Sequence, residues 1–233
     1  MKRFYTDVTV TEQPDGFGVA LDGKELLSPA KRALALPTRA LAEALAAEWA
    51  GQSEVVRPDG MRLMALVSTA RDRVAGQPAA VAAETARYAA TDLLCYRAEY
   101  PQSLVRRERA VWQPLLDWAA DRFGAPLRVT AGIVPVDQPG DSLKALRRVL
   151  DGLDIFALTA IADLTSACGS LILALALWDG RLDAAGAVEA AILDESFQNE
   201  RWGEDREALL RRNRLAADIH AGARFLTLLR PGG

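Results

Sequence analysis

The chain of 233 residues is 50% hydrophobic and 25% charged, with 28 Lys and Arg against 31 Asp and Glu and a net charge of -3. This is a globular rather than a disordered composition, and it contains no basic tract long enough to track a phosphate backbone: Arg106, Arg107 and Arg109, like Arg211, Arg212 and Arg214, sit among acids or on helical faces. Nucleic acid is therefore not an expected partner, and the two cysteines, Cys95 and Cys168, lie inside apolar patterns that suit buried small hydrophobes in a reducing compartment rather than a disulfide or metal pair.

The start, MKRFYTDVTV, alternates at once and has no apolar h-region, so a cytoplasmic protein without an export signal is expected. From Phe4 to Leu36 the pattern is β. FYTDVTV, the turn residues Pro14, Asp15 and Gly16, FGVAL, the Asp22-Gly23 pair and KELLS predict a small antiparallel sheet, because Asp-Gly between apolar runs supplies the positive φ a tight hairpin needs. Thr38 is placed to cap a helix whose Leu41, Leu45 and Trp49 share one face before Gly51 ends it.

Beyond the Pro58-Asp59-Gly60 turn the chain reads as mainly helical. Leu63, Leu66, Val67, Ala70 and Val74 form one apolar face, and Pro78 opens another helix carrying Val81, Thr85, Tyr88 and Cys95. A helix from Pro101 through Phe123 is expected to kink or break at Pro114. Residues 127–136 alternate around Pro135 and read either as an extended connector or as an edge strand returning to the first sheet. Asp141 is expected to cap a short helix to Leu150.

The run from Ile155 to Trp178 is the longest apolar stretch and predicts one central helix capped by Asp154. Its polar residues Thr159, Asp163, Ser166 and Ser170 recur every three or four positions and form one stripe, where Asp163 should find a partner because a buried unpaired charge is costly. That charge, and the lack of a second such segment, argue against membrane insertion. Asp183 should cap a helix through Val188, Ala191, Ile192 and Glu195, interrupted by NERWGED before a final helix to about Arg230.

The expected fold is α+β: a small N-terminal antiparallel sheet with a covering helix over residues 1–60, then a larger mainly helical bundle of roughly six helices over 61–233. The near-balanced charge suits a soluble monomer.

The search for chemistry is largely negative. The chain contains no GxSxG, P-loop, GxGxxG or HExxH motif. His220, the single histidine, aligns with Ala216 and Ala223 and reads as a partly buried structural residue. Neither cysteine has the surroundings of an activated thiol, apart from Arg97 near Cys95.

One segment differs from its neighbours. Asp194 to Glu207, DESFQNERWGEDRE, carries six acids against two arginines around Phe197 and Trp202. Three readings stay open on the residues alone. Glu204, Asp205 and Glu207 can serve the positive end of the last helix while Phe197 and Trp202 pin the corner to the core. A carboxylate pair can serve a small hydrolase using residues around 194–205. Or Trp202 can anchor a partner within a polar rim.

At this point the chain resembles a known family, the assembly chaperones for the α subunit of F-type ATP synthase, found in mitochondria and some bacteria. KRFYTDV, LDGKELLSPA, LPTRALAEALAAEW, MRLMALVSTARDRV, DLLCYRA, WQPLLDWA, LALAL and DESFQNERWGED follow in the family's order over nearly the whole length. The resemblance implies a chaperone that is not an enzyme, needs no cofactor or metal, and holds the new α subunit until the β subunit replaces it. It also implies Gln198, Trp202, Gly203, Glu204 and Asp205 as partner-binding positions with Phe197 beside them, Glu204 being the expected client contact. Trp49 matches a family position too, but its line with Leu41 and Leu45 favours a core role.

Overall fold

The computed structural model describes residues 2–132, 134–203 and 206–230. β1 (Val8–Gln13) and β2 (Gly16–Leu21) pair antiparallel, Val8 opposite Leu21 and Gln13 opposite Gly16, and β3 (Lys24–Glu25) completes a sheet of order β1-β2-β3. Asp22 and Gly23 take φ of 47° and 76°, the left-handed values that the hairpin signal predicts. Gly16, at φ 137°, leaves no room for a side chain: a Cβ there would collide with the Leu36 carbonyl oxygen.

α1 (Arg39–Ala50) lies on β1 and β2 with Leu41, Leu45 and Trp49 buried. Thr38 caps it as expected, its Oγ1 accepting the Leu41 N–H at 3.2 Å and also donating to the Leu228 carbonyl at 2.5 Å. α2 (Arg62–Asp72) follows Met61, which offers no side-chain cap. Glu48 supplies it from α1, its two carboxylate oxygens accepting the Leu63 and Met64 N–H groups at 2.9 Å each.

The chain divides into two compact units, Met1–Pro78 with Asp154–Ala160 and Arg224–Gly233, and Ala79–Leu153 with Ile161–Ala223. In the second, α3 (Pro78–Arg87) stops well before Cys95; 3-10 turns at 88–91 and 93–95 replace the expected helix. The cause is Asp92, fully buried between them. It accepts the Leu94 N–H at 3.1 Å, the Ser170 hydroxyl at 2.7 Å and the Ile172 N–H at 3.1 Å.

α4 (Gln102–Phe123) runs through Pro114 without the expected break. Pro114 and Ala110 are both exposed, so the carbonyl that loses its amide partner lies on the wet face of the helix. Residues 130–131 form β5 (Thr130–Ala131), paired parallel with β4 (Tyr96–Arg97) and not with the N-terminal sheet. α5 (Gly140–Asp151) starts after Pro139 with no side-chain cap. Asp141, expected to provide one, sits in the first turn and pairs with Lys144.

The central apolar run is two helices, not one. α6 (Ile155–Cys168) ends before Gly169, whose φ is 65°, and Ser170 caps α7 (Leu171–Asp179) by accepting the Leu173 N–H at 3.1 Å. Asp154 does cap α6, accepting the Phe156 and Ala157 N–H groups at 2.8 and 3.1 Å. Thr159 and Ser170 are buried, whereas Asp163 and Ser166 are exposed, so Asp163 is not the buried charge expected of it.

α8 (Ala184–Ala191) is capped by Asp183 through the Gly186 N–H at 2.8 Å. The next break comes at Ile192, earlier than expected, and α9 (Leu193–Trp202) carries NERW inside a helix; α10 (Arg206–Leu228) follows. His220 is exposed, not partly buried. The α+β class stands as read, with nine α-helices after residue 60 among the described residues rather than roughly six. No helix of the described residues is long and apolar enough to cross a membrane.

Candidate functional site

Acids in a first turn meet the positive end of the helix dipole, and α9 opens with Asp194 and Glu195. Phe197 then turns inward, 8% exposed, with the Arg201 guanidinium 4.6 Å from its ring centre. Gln198 faces solvent. Trp202 ends the helix at 78% exposure, so it does not pin the corner to the core. Gly203, at φ 85°, closes the turn by donating its N–H to the Asn199 carbonyl at 3.0 Å. Glu204 and Asp205 lie outside the described residues. Glu207 stands in the first turn of α10, as the helix-dipole reading expects.

Two contacts set α9 against α10: Arg211 to Glu195 at 2.9 Å, and Arg212 to Ser196 at 3.4 Å. Two more tie it to α4, Arg107 to Glu200 at 2.7 Å and Arg201 to Ser103 at 3.3 Å. Leu209 and Leu210, on the first turns of α10, are 40% and 50% exposed. They are apolar neighbours of the motif that the sequence reading passed over. The signal was present in REALLRRNR, where neither leucine has an apolar partner three or four positions on.

The start of α9 reaches the interior. Asp194 buries its Oδ1 there, and Glu108 of α4, at 0% exposure, receives the Ala98 N–H at 2.9 and 3.1 Å. Burial pushes Glu108 up to about 7 and raises Asp194 as well. Arg97 lies alongside, 5.2 Å over the Trp112 ring, donating to the Leu94 carbonyl at 2.8 Å. Neither Glu108 nor the buried arginine was singled out as a site from sequence, since helix periodicity assigns a charged residue to the wet side.

Among the described residues these carboxylates do not converge on a cleft. Asp194 is directed inward, while Glu195 and Glu200 are each held by an arginine. An open groove of 700 Å³ runs between Ala83, Arg87, Tyr88, Leu143 and Arg147, and another of 620 Å³ passes Pro114, Trp118 and Arg122; neither is lined by an acid of α9. Cys95 and Cys168 are free and buried, their thiols pushed up to about 12 by desolvation, which leaves no thiolate for nucleophilic work. Among the described residues no group of three or more His, Cys, Asp or Glu side chains could hold a metal ion.

What this site offers is an exposed apolar tip on a braced helical hairpin. The family model for the ATP12 chaperone protein matches residues 2–120. The chain belongs to the ATP12 chaperone family.

The crystal structure of Atp12 from Paracoccus denitrificans is 44% identical, covers 98% of each chain and superposes with a TM-score of 0.94; a variant of it with lysine replacing an aspartate gives the same values. The mitochondrial protein atp12 of Schizosaccharomyces pombe is 26% identical over 219 residues, 89% of this chain and 75% of the relative. In this ATP12-family chain Trp49 packs edge-on against Tyr5 at 5.6 Å, and its carbonyl accepts the Tyr5 hydroxyl at 2.8 Å. Its buried place is that of a core residue.

Proposed function

We propose that this ATP12-family chaperone of ATP synthase assembly binds the unassembled α subunit of F-type ATP synthase, covers its subunit interface and yields it to the β subunit. A ring subunit exposes a large apolar interface while it is alone, and such a surface drives aggregation. A holder that binds this surface more weakly than the true neighbour does is displaced by mass action. The exchange needs no nucleotide and no bond-making, and we read the protein as a cytoplasmic monomer without catalytic activity or cofactor.

The observation that carries this reading is the exposure of Trp202 at the end of a helix cross-braced on both sides. Burying an indole on a partner is strongly favourable, and a rigid support lowers the ordering cost. On this proposal Trp202 is the apolar anchor, Gln198, Gly203 and Asp205 are further client contacts, Phe197 holds α9 in place from within, and Glu204 meets a basic or amide group of the client. Residues 1–60 and 61–233 act as the two parts of the holder.

Co-expression with the α subunit of the same organism tests the proposal. α should remain soluble and co-purify with the chaperone. An α chain that precipitates equally fast with and without it overturns the reading. Glu204→Lys should impair that protection while leaving the melting temperature within a few degrees.

A further inference from the structure

We propose that the groove between α3 and α5 binds an acidic, leucine-bearing peptide segment of a partner protein. The groove follows from where α3 stops. Asp92 draws the chain into 3-10 turns after Arg87, α5 packs against the turn at 88–91, and beside the shortened helix lies the open channel of 700 Å³. Its floor is apolar: Ala83 and Ala86 of α3, Tyr88 of the turn and Leu143 of α5 are all half-buried. A second depression of 720 Å³ adjoins it at Leu143 and Arg147 and is lined further by Lys144 and Arg148.

The walls reverse the sign of the molecule. The chain carries a net charge of -3, yet among the described residues Arg87, Lys144, Arg147 and Arg148 line the two depressions against Glu84 and Asp141. Lys144 meets Asp141 at 3.3 Å with both side chains exposed, a pair that water weakens. Arg87 and Arg148 are exposed, and no acid of the described residues pairs with either. Arg147 is already fixed. Its Nε donates to Asp151 at 2.8 Å and its Nη2 to the Ala79 carbonyl at 3.0 Å, so the guanidinium reaches from α5 to the first turn of α3. Even with Asp151 counted, cations outnumber acids there, and a carboxylate arriving at Arg147 has no side chain to put in order.

Charge and shape together select the occupant. Acidic side chains complement the walls and an aliphatic side chain between them complements the floor, a combination that a polypeptide offers and a free phosphate does not. Attachment to a bilayer needs an apolar face that enters the headgroup layer, whereas the apolar residues here lie at the bottom of a recess. The inference stands apart from the reading of α9 as the client surface, because no residue of that helix lines the groove.

Fluorescence anisotropy of the full-length protein with a labelled peptide of repeating Glu-Glu-Leu tests the groove. The peptide should bind, and binding should weaken several-fold from about 0.05 M to about 0.5 M salt. A peptide with lysine in place of glutamate should bind about tenfold more weakly or worse. Arg87→Gln combined with Arg148→Gln removes the two unpaired cations and should weaken binding about fivefold or more. Ala86→Phe fills the floor without altering charge and should weaken it at least as much. Should one of these variants fold poorly, the other decides, since one changes charge and the other shape. Absence of binding, equal binding of the lysine peptide, or unchanged affinity in a variant that keeps its fold overturns the proposal. So does binding of inorganic phosphate or of phosphatidylglycerol vesicles that the peptide fails to displace. No α subunit enters the measurement, so the groove can fail while α-subunit binding stands, and the reverse.

Discussion

Phe197 and Trp202 stand five residues apart on α9 and meet opposite surroundings, the first 8% and the second 78% exposed. Both belong to one motif, and only Phe197 gives its ring to the core.

Trp202→Ala should leave the melting temperature within a few degrees, because an exposed ring contributes little to the folded state. Capture of the α subunit in a pull-down should fall at least tenfold if the ring is the anchor, an anchor residue being worth about 2 kcal/mol or more. Phe197→Ala removes a buried ring and should destabilise by about 3–5 kcal/mol, visible in a urea midpoint. Retained capture by Trp202→Ala would take the ring out of the interface.

Two glycines with positive φ should respond very differently to alanine. At Gly169, φ 65°, an added Cβ meets nothing within 4 Å, so only backbone strain is incurred, about 1–2 kcal/mol. At Gly16 the same change drives a Cβ into the Leu36 carbonyl oxygen, which also accepts the Phe17 N–H at 2.9 Å, and the β1–β2 end of the sheet must shift. Gly16→Ala should be the costlier by a clear margin in denaturant unfolding. Equal costs would show that the sheet end yields freely.

Glu48 serves α2 as a cap from a neighbouring helix. Glu48→Ala leaves the Leu63 and Met64 amides without their acceptors and should cost about 1–3 kcal/mol. Glu48→Gln retains one acceptor oxygen and should cost less. Burial raises the Glu48 carboxyl, so part of the loss is offset by the charge no longer desolvated. Thermal melts of the two variants side by side check the ordering.

Asp92 ties pH to stability through a different joint. Burial outweighs its hydrogen bonds and pushes the carboxyl up to about 6, so the folded state binds a proton more tightly than the unfolded chain does. Its contribution is full below the ordinary aspartate value near 4 and declines as pH rises through about 6. Asp92→Asn abolishes that slope and leaves the Ile172 N–H facing an amide N–H, a loss of about 1–3 kcal/mol. Urea midpoints should place the variant below wild type with a gap that narrows between about pH 4 and about pH 7. A gap that widens with pH would mean the ionised form is the favoured one.

Signals confined to a few neighbouring residues are legible in the sequence. Thr38, Asp154 and Asp183 cap the helices that follow them, and Asp22-Gly23 turns a hairpin, because each effect is confined to a few residues on either side. The corner at Trp202 was legible through its motif and its mixture of aromatic and acidic residues. The breaks were less so. Gly169 and Ser170 end one helix and begin another inside an unbroken apolar run, and Ser170 is held by Asp92, 78 positions earlier. Ile192 ends α8 with no glycine or proline to announce it.

From the order of residues alone came the α+β class, the apolar residues that must leave water, several caps and the family to which the chain belongs. Only the folded chain decided that Asp194 Oδ1 and Glu108 are buried, that Trp202 stays outside, that Asp163 is exposed, and that residues 130–131 join β4. Hydrophobic periodicity records which side of an element avoids water. It carries no record of which distant element covers that side, and a carboxylate's partner or proton is set by that distant neighbour.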